Sequence, residues 1–315
     1  MKAVFLATLS PMLMLFVCIL IGYLLNRLRL APDNTATVLS KLATWVLCPC
    51  LNLTIFMKYC TPESFLRHGK MLLYSALVLA VAVGLATVLS LLFAKKGYSR
   101  NIYQYALTFA NYGFMANAIV PVILGEEALY VYMLFTLPMI VVGYTWGAAI
   151  LIPHKETGNP WKRLLNPTFF SVALGMVLGL TGTAKYVPGF LQNAFSGLGN
   201  CTGVVAMVLT GFLIGSYPLG QLLRQKKVYV ASILRLFVLP AIFLTGLKLL
   251  GADELTMKLC FFAYATPLGL NTVVFPAAYG GDPTIGAAMA TVSHTLCVAS
   301  IPLMYSLLTL LIGGA

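Results

Sequence analysis

Long apolar runs alternate with short polar connectors along the whole chain. The runs cover residues 3–25, 35–57, 71–94, 102–124, 128–152, 167–181, 198–216, 228–250, 255–279 and 283–312. Most reach the roughly 20 residues a helix needs to cross a bilayer. The run at 167–181 is shorter and can extend toward Val187. Apolar positions are continuous rather than alternating, which excludes a closed barrel. The pattern predicts an all-α membrane protein of ten transmembrane helices.

Two runs, the fourth and the ninth, are interrupted. The fourth carries Asn111-Tyr112-Gly113, then Asn117, Pro121, Gly125 and the acids Glu126 and Glu127. The ninth carries Thr266-Pro267-Leu268-Gly269-Leu270-Asn271-Thr272, then Pro276, Gly280, Gly281 and Asp282. Both close on proline, three residues, glycine, one residue and an acid. Paired interrupted helices in the two halves of a membrane protein mark a transporter's binding site.

The polar stretch 153–166 divides the runs five and five. An odd number of spans per half inserts the second half upside down. The predicted organisation is a five-helix repeat over 1–152, a cytoplasmic linker at 153–166 and an inverted five-helix repeat over 167–315. Arg27, Arg29, Lys95, Lys96, Arg100, Lys155, Lys162, Arg163, Arg224, Lys226 and Lys227 outnumber the opposite set of Lys2, Lys58, Arg67, Lys70, Lys185, Lys248 and Lys258. The richer side is expected in the cytoplasm, with both termini outside the inner (plasma) membrane.

Composition sharpens this picture. Of the 315 residues, 60% are hydrophobic and only 9% charged, against about 25% charged in a soluble domain. The net charge of +12 sits in connectors, with no basic face for nucleic acid. The seven cysteines lie in or beside apolar runs, so no disulfide framework is expected. The leading run is too long for a cleavable signal.

The interruptions suggest how a solute is held. Proline lacks an N–H and clashes four residues back, so Pro121 frees the carbonyl of Asn117 and Pro276 that of Thr272. Gly113 and Gly269 permit unusual backbone geometry. Asn111, Asn117 and Asn271 add neutral donors and acceptors. New half-helix N-termini suit an anion.

At Ala110-Asn111-Tyr112-Gly113 leading to Pro121, and at Pro276-Ala277-Ala278-Tyr279-Gly280-Gly281-Asp282-Pro283, the chain resembles the auxin efflux carrier family of bacterial and plant transporters, over its whole length. That family includes malonate-type permeases and the plant PIN-FORMED carriers. The resemblance implies two inverted five-helix repeats with the fourth and ninth helices crossing at their breaks, as in bile-acid symporters. It implies elevator-type alternating access, with spans 1, 2, 6 and 7 as scaffold and spans 3–5 and 8–10 as transport domain. Carried over, the crossing uses Pro121 and Pro276, and Asn111, Asn117 and Asn271 contact substrate. The plant carriers' long central loop has no counterpart in the short 153–166 stretch, so regulation there is not expected.

The expected function is secondary active transport of a small organic anion such as a mono- or dicarboxylate. The alternative is an anion channel or membrane solute sensor on the same fold. No cofactor, metal or enzymatic activity is expected. The coupling ion stays open, with proton or membrane potential favoured over sodium, and a homodimer is left open.

Several residues carry competing readings. Arg235, within the eighth run, either snorkels to the cytoplasmic interface, the favoured reading, or presents its charge to substrate. His294 packs through a hydrogen bond or serves proton coupling. Cys48-Pro49-Cys50 reads as a kink with thiols, not a copper site, and Ser293-His294 and Asp282 lack the partners of a hydrolase or aspartyl protease. Asp282-Pro283 reads as a helix start. Asp33 and Lys41 read as interfacial charges, and Thr108, Thr136, Thr210 and Ser232 as helix-to-helix hydrogen bonds.

Overall fold

The computed structural model describes residues 2–152 and 165–313. The expected cytoplasmic linker at 153–166 therefore lies almost wholly outside the described residues. Every element is helical: α1 (Lys2–Arg27), α2 (Thr35–Tyr59), α3 (Pro62–His68), α4 (Lys70–Leu92), α5 (Tyr98–Thr108), α6 (Tyr112–Leu124), α7 (Glu126–Leu151), α8 (Pro167–Leu180), α9 (Gly189–Gly215), α10 (Leu219–Leu223), α11 (Lys226–Leu249), α12 (Glu254–Tyr264), α13 (Asn271–Ala278) and α14 (Thr284–Gly313).

Among the described residues, seven helices are long and apolar enough to cross a membrane: α1, α2, α4, α7, α9, α11 and the 284–312 stretch of α14. The expected fourth run is split into α5 and α6, and the ninth into α12 and α13. The sixth is the 14-residue α8. Helix α9 begins at Gly189, well before the expected start at Leu198.

Start signals are local. Thr61 accepts from the N–H of Ser64 at 3.2 Å, and Pro62 occupies the first turn of α3. Asp253 caps α12 through the N–H of Thr256 at 3.1 Å, and Asp282 accepts from Thr284 at 2.9 Å before α14. Helices α2 and α11 each contain a wide π-type turn, Ala43–Leu47 and Leu234–Val238. Pro49 and Pro240 follow these turns, and the carbonyl each leaves without an N–H lies inside the turn.

Helix packing depends on absent side chains. Helix α1 lies along α9, and α2 along α8 and α9. A Cβ on Gly211 would fall 1.8 Å from the carbonyl oxygen of Ile19, and one on Gly22 1.9 Å from that of Val208. Gly175 and Gly179 of α8 press on Leu53, Phe56 and Cys60 of α2 in the same way. Small residues let membrane helices approach backbone to backbone, where dispersion replaces the missing hydrophobic drive. A second set packs around α7, which contacts α4, α6 and α12, while α11 contacts α12 and α14. Helix α1 also lies against α14.

The expected helix-to-helix roles of Thr108, Thr136 and Thr210 are corrected. Their hydroxyls donate to Gln104, Met133 and Ala206 of their own helices. In a low-dielectric interior this back-bonding satisfies a hydroxyl without needing a partner helix. Ser232 has no hydrogen-bond partner among the described residues.

Candidate functional site

The breaks fall upstream of the prolines expected to make them. Helix α5 ends at Thr108 and α6 starts at Tyr112, leaving Phe109 to Asn111 as connecting backbone. Helix α12 ends at Tyr264 and α13 starts at Asn271. Pro267 sits in that second gap. A residue before proline is pushed out of helical geometry, which accounts for the stop. The crossing expected at Pro121 and Pro276 is therefore corrected, since both prolines lie inside α6 and α13.

The two connecting segments touch each other. Ala110 and Leu268 pair as an antiparallel bridge, and the N–H of Asn111 donates to the carbonyl of Pro267 at 2.8 Å. Backbone groups freed from their helices thus satisfy one another at membrane depth. Gly269 enables this approach, because a Cβ there would lie 3.1 Å from the carbonyl oxygen of Ala110. Neither Gly113 nor Gly269 has positive φ. The unusual backbone geometry expected of them is absent: Gly269 serves close approach, and a Cβ on Gly113 would meet open space.

Helix α14 braces the crossing. The hydroxyl of Ser293 accepts from the N–H of Leu268 at 3.2 Å. His294 is buried, with Nδ1 at 2.8 Å from the carbonyl of Ala290 and Nε2 at 3.3 Å from Nδ2 of Asn111. A carbonyl only accepts, so Nδ1 carries the proton and Nε2 accepts from the Asn111 amide. Pro276 leaves the carbonyl of Thr272 without its helical donor, and the backbone of Gly286 presses on that carbonyl, where a Cβ would lie 2.1 Å away.

Arg235 does not snorkel. It is fully buried, and Nη1 donates to the carbonyls of Leu107 at 3.0 Å and Thr108 at 3.5 Å. Its guanidinium lies 5.5 Å from the Tyr264 ring centroid. Nε and Nη2 have no partner among the described residues. The cation caps the C-terminal end of α5, where unpaired carbonyls concentrate negative potential.

A cavity of about 470 Å³ opens at the crossing, within the ordinary range for small-molecule sites. Asn111, Gly113, Asn117, Gly269 and Asn271 line it, whereas Pro121, Thr272, Pro276, Arg235 and His294 do not. Nδ2 of Asn117 donates to the carbonyl of Gly113 at 2.8 Å, and Nδ2 of Asn271 to the Tyr105 hydroxyl at 2.8 Å. The amide nitrogens of Asn111, Asn117 and Asn271 each use one N–H on the protein and keep a second. Helices α6 and α13 both begin at the cavity wall, which places their N-terminal partial positive charge beside it.

Sequence reasoning missed the opposite wall. Lys41, Thr44, Cys48 and Asn52 of α2 line the cavity with Phe56, as do Tyr144 of α7 and Thr168 of α8. Lys41 is exposed near the start of its span, as an interfacial charge is, and it also lines the cavity. The recoverable signal was the spacing of three or four residues along α2, which puts these side chains on one face. Among the described residues the lining holds one lysine and no carboxylate.

A second, smaller cavity of about 230 Å³ lies between α2, α9 and the start of α7. At its edge Lys58 pairs with Glu126 at 2.7 Å, and the Tyr59 hydroxyl donates to the same carboxylate oxygen at 2.9 Å. No cluster of three or more histidine, cysteine or acidic side chains occurs among the described residues.

Apolar helices around a cavity with a few convergent polar groups, built where two of them break, define a multi-pass membrane protein that handles solute. The chain belongs to the membrane transport protein family, which is auxin efflux carrier-like: its family model matches residues 7–160 and 156–305. Members of this family are transporters, not enzymes. No curated protein matches the chain.

Proposed function

We propose that this chain is a secondary active carrier of small organic anions, with the cavity at the helix crossing as its solute site. One observation carries the reading. Three asparagine amides, two helix N-termini and a lysine converge on a cavity that has no acidic wall. Spare N–H donors and partial positive charge match a carboxylate. The buried cation of Arg235 behind the break adds positive potential without filling the site.

The reading extends to mechanism. Helices α1, α2, α8 and α9 form the scaffold through their glycine contacts, and the helices packed around α7 and α11 carry the solute as the moving part. The boundary runs through the contact of α1 with α14. The two family matches divide near the central linker, which supports two inverted repeats. Charge placement supports both termini outside the plasma membrane and a cavity opening toward the cytoplasm. Proton or membrane potential supplies the driving force.

The test is a thermal-shift panel of purified protein against mono- and dicarboxylates, sugars and amines, followed by counterflow in proteoliposomes. Carboxylates should raise the unfolding temperature, since a ligand of the folded state stabilises it. Counterflow should saturate, and Asn111→Ala and Asn271→Ala should abolish it at normal expression. Hits confined to sugars or amines would overturn the anion assignment, and non-saturating flux would identify a channel.

A further inference from the structure

Burial grades steeply along the α2 wall of the cavity. Lys41 is exposed, Thr44 and Cys48 are half-buried, Asn52 is 6% exposed and Phe56 is fully covered. The stripe therefore runs from an open mouth at Lys41 to a closed floor at Phe56. Lys41 lies about 9 Å along α2 from its first residue, at 1.5 Å per residue. It stands below the helix end and on the cavity face. No carboxylate pairs with it among the described residues, whereas Lys58 and Lys258 each hold an acid. No other charged side chain lines the cavity among the described residues.

A lone cation at the mouth of an apolar-walled cleft focuses field lines into it. We infer that Lys41 is the specificity-determining residue that meets the negative charge of the incoming solute and sets the preference for ionised over neutral molecules. The asparagines deeper in the cavity then hold polar groups of either kind. The inference rests on the anion-carrier reading and assigns that reading's charge selection to one side chain.

The experiment uses the full chain in proteoliposomes. Uptake of radiolabelled benzoate and succinate is compared with that of benzamide and succinamide, at low and high salt. Wild-type protein should favour the acids, with a KM that rises with salt. Lys41→Gln should raise KM for the acids about fivefold, remove most of the salt dependence and leave kcat within about twofold, the scale expected of one partly screened charge. Uptake of the amides should not change. Lys41→Arg should restore the wild-type KM. A Lys41→Gln variant with wild-type KM and salt dependence overturns the inference and leaves the anion reading standing. Wild-type protein that takes up neither acid, or takes up the amides equally well, overturns the anion reading and the inference with it.

Discussion

The bond between Asn111 and His294 is the side-chain link between the first break and α14, and a double-mutant cycle isolates it. At 3.3 Å between nitrogens it is a long bond, worth about 0.5 kcal/mol net. The larger effect is what each single change strands. Asn111→Ala leaves Nε2 of a fully buried imidazole without a donor, at a cost of about 1–3 kcal/mol. His294→Leu leaves an Asn111 amide N–H without its acceptor, with a cost of the same order. The double variant strands neither group, so its loss should fall short of the sum by about 1–2 kcal/mol. Backbone pairing of Asn111 with Pro267 persists in all three variants, because it uses no side chain. The assay is equilibrium unfolding in mixed micelles, read by tryptophan fluorescence. A cycle that closes additively within about 0.5 kcal/mol would refute the hydrogen bond and the bracing role assigned to His294.

Arg235→Ala should destabilise by about 2–3 kcal/mol, the scale of a charge-assisted bond to the end of α5, with Arg235→Lys recovering part of it. The same micelle titration checks this, and an unchanged midpoint for the alanine variant would contradict the cap. Gly211→Val drives a side chain into the carbonyl of Ile19, so it should lose more than about 3 kcal/mol or fail to give monodisperse protein. Gly84→Ala, where a Cβ meets nothing within 4 Å, is its control and should stay within about 0.5 kcal/mol.

The broken helices were legible because asparagine, glycine and proline interrupt otherwise uniform apolar runs. Their true breakpoints were less so. Pro121 and Pro276 look like the stronger breakers, yet their helices absorb them, while Pro267 and the stretch before Asn111 make the actual gaps. Intrinsic preference identifies where a helix is weak, and tertiary pairing decides which weak point opens. Arg235 was misread because its partners, Leu107 and Thr108, lie more than a hundred positions away. The place of Lys41 on the cavity wall was not legible, because a charge near a span end looks only interfacial until the facing helices are placed. The five asparagine and glycine positions on the wall came from local chemistry alone, while the α2 face needed the fold.

The crossing is tied by main-chain atoms: the bridge of Ala110 with Leu268 and the bond from Asn111 to Pro267. Such ties use no side-chain atoms, and of the wall residues Gly269 must stay small to permit them. Other residues on the wall can therefore be exchanged to suit a different passenger while the knot itself stays fastened. That separation of fastening from lining makes the protein a ready chassis for retailoring: new cargo preferences can be sought on α2 and α7 without rebuilding the place where the chain meets itself.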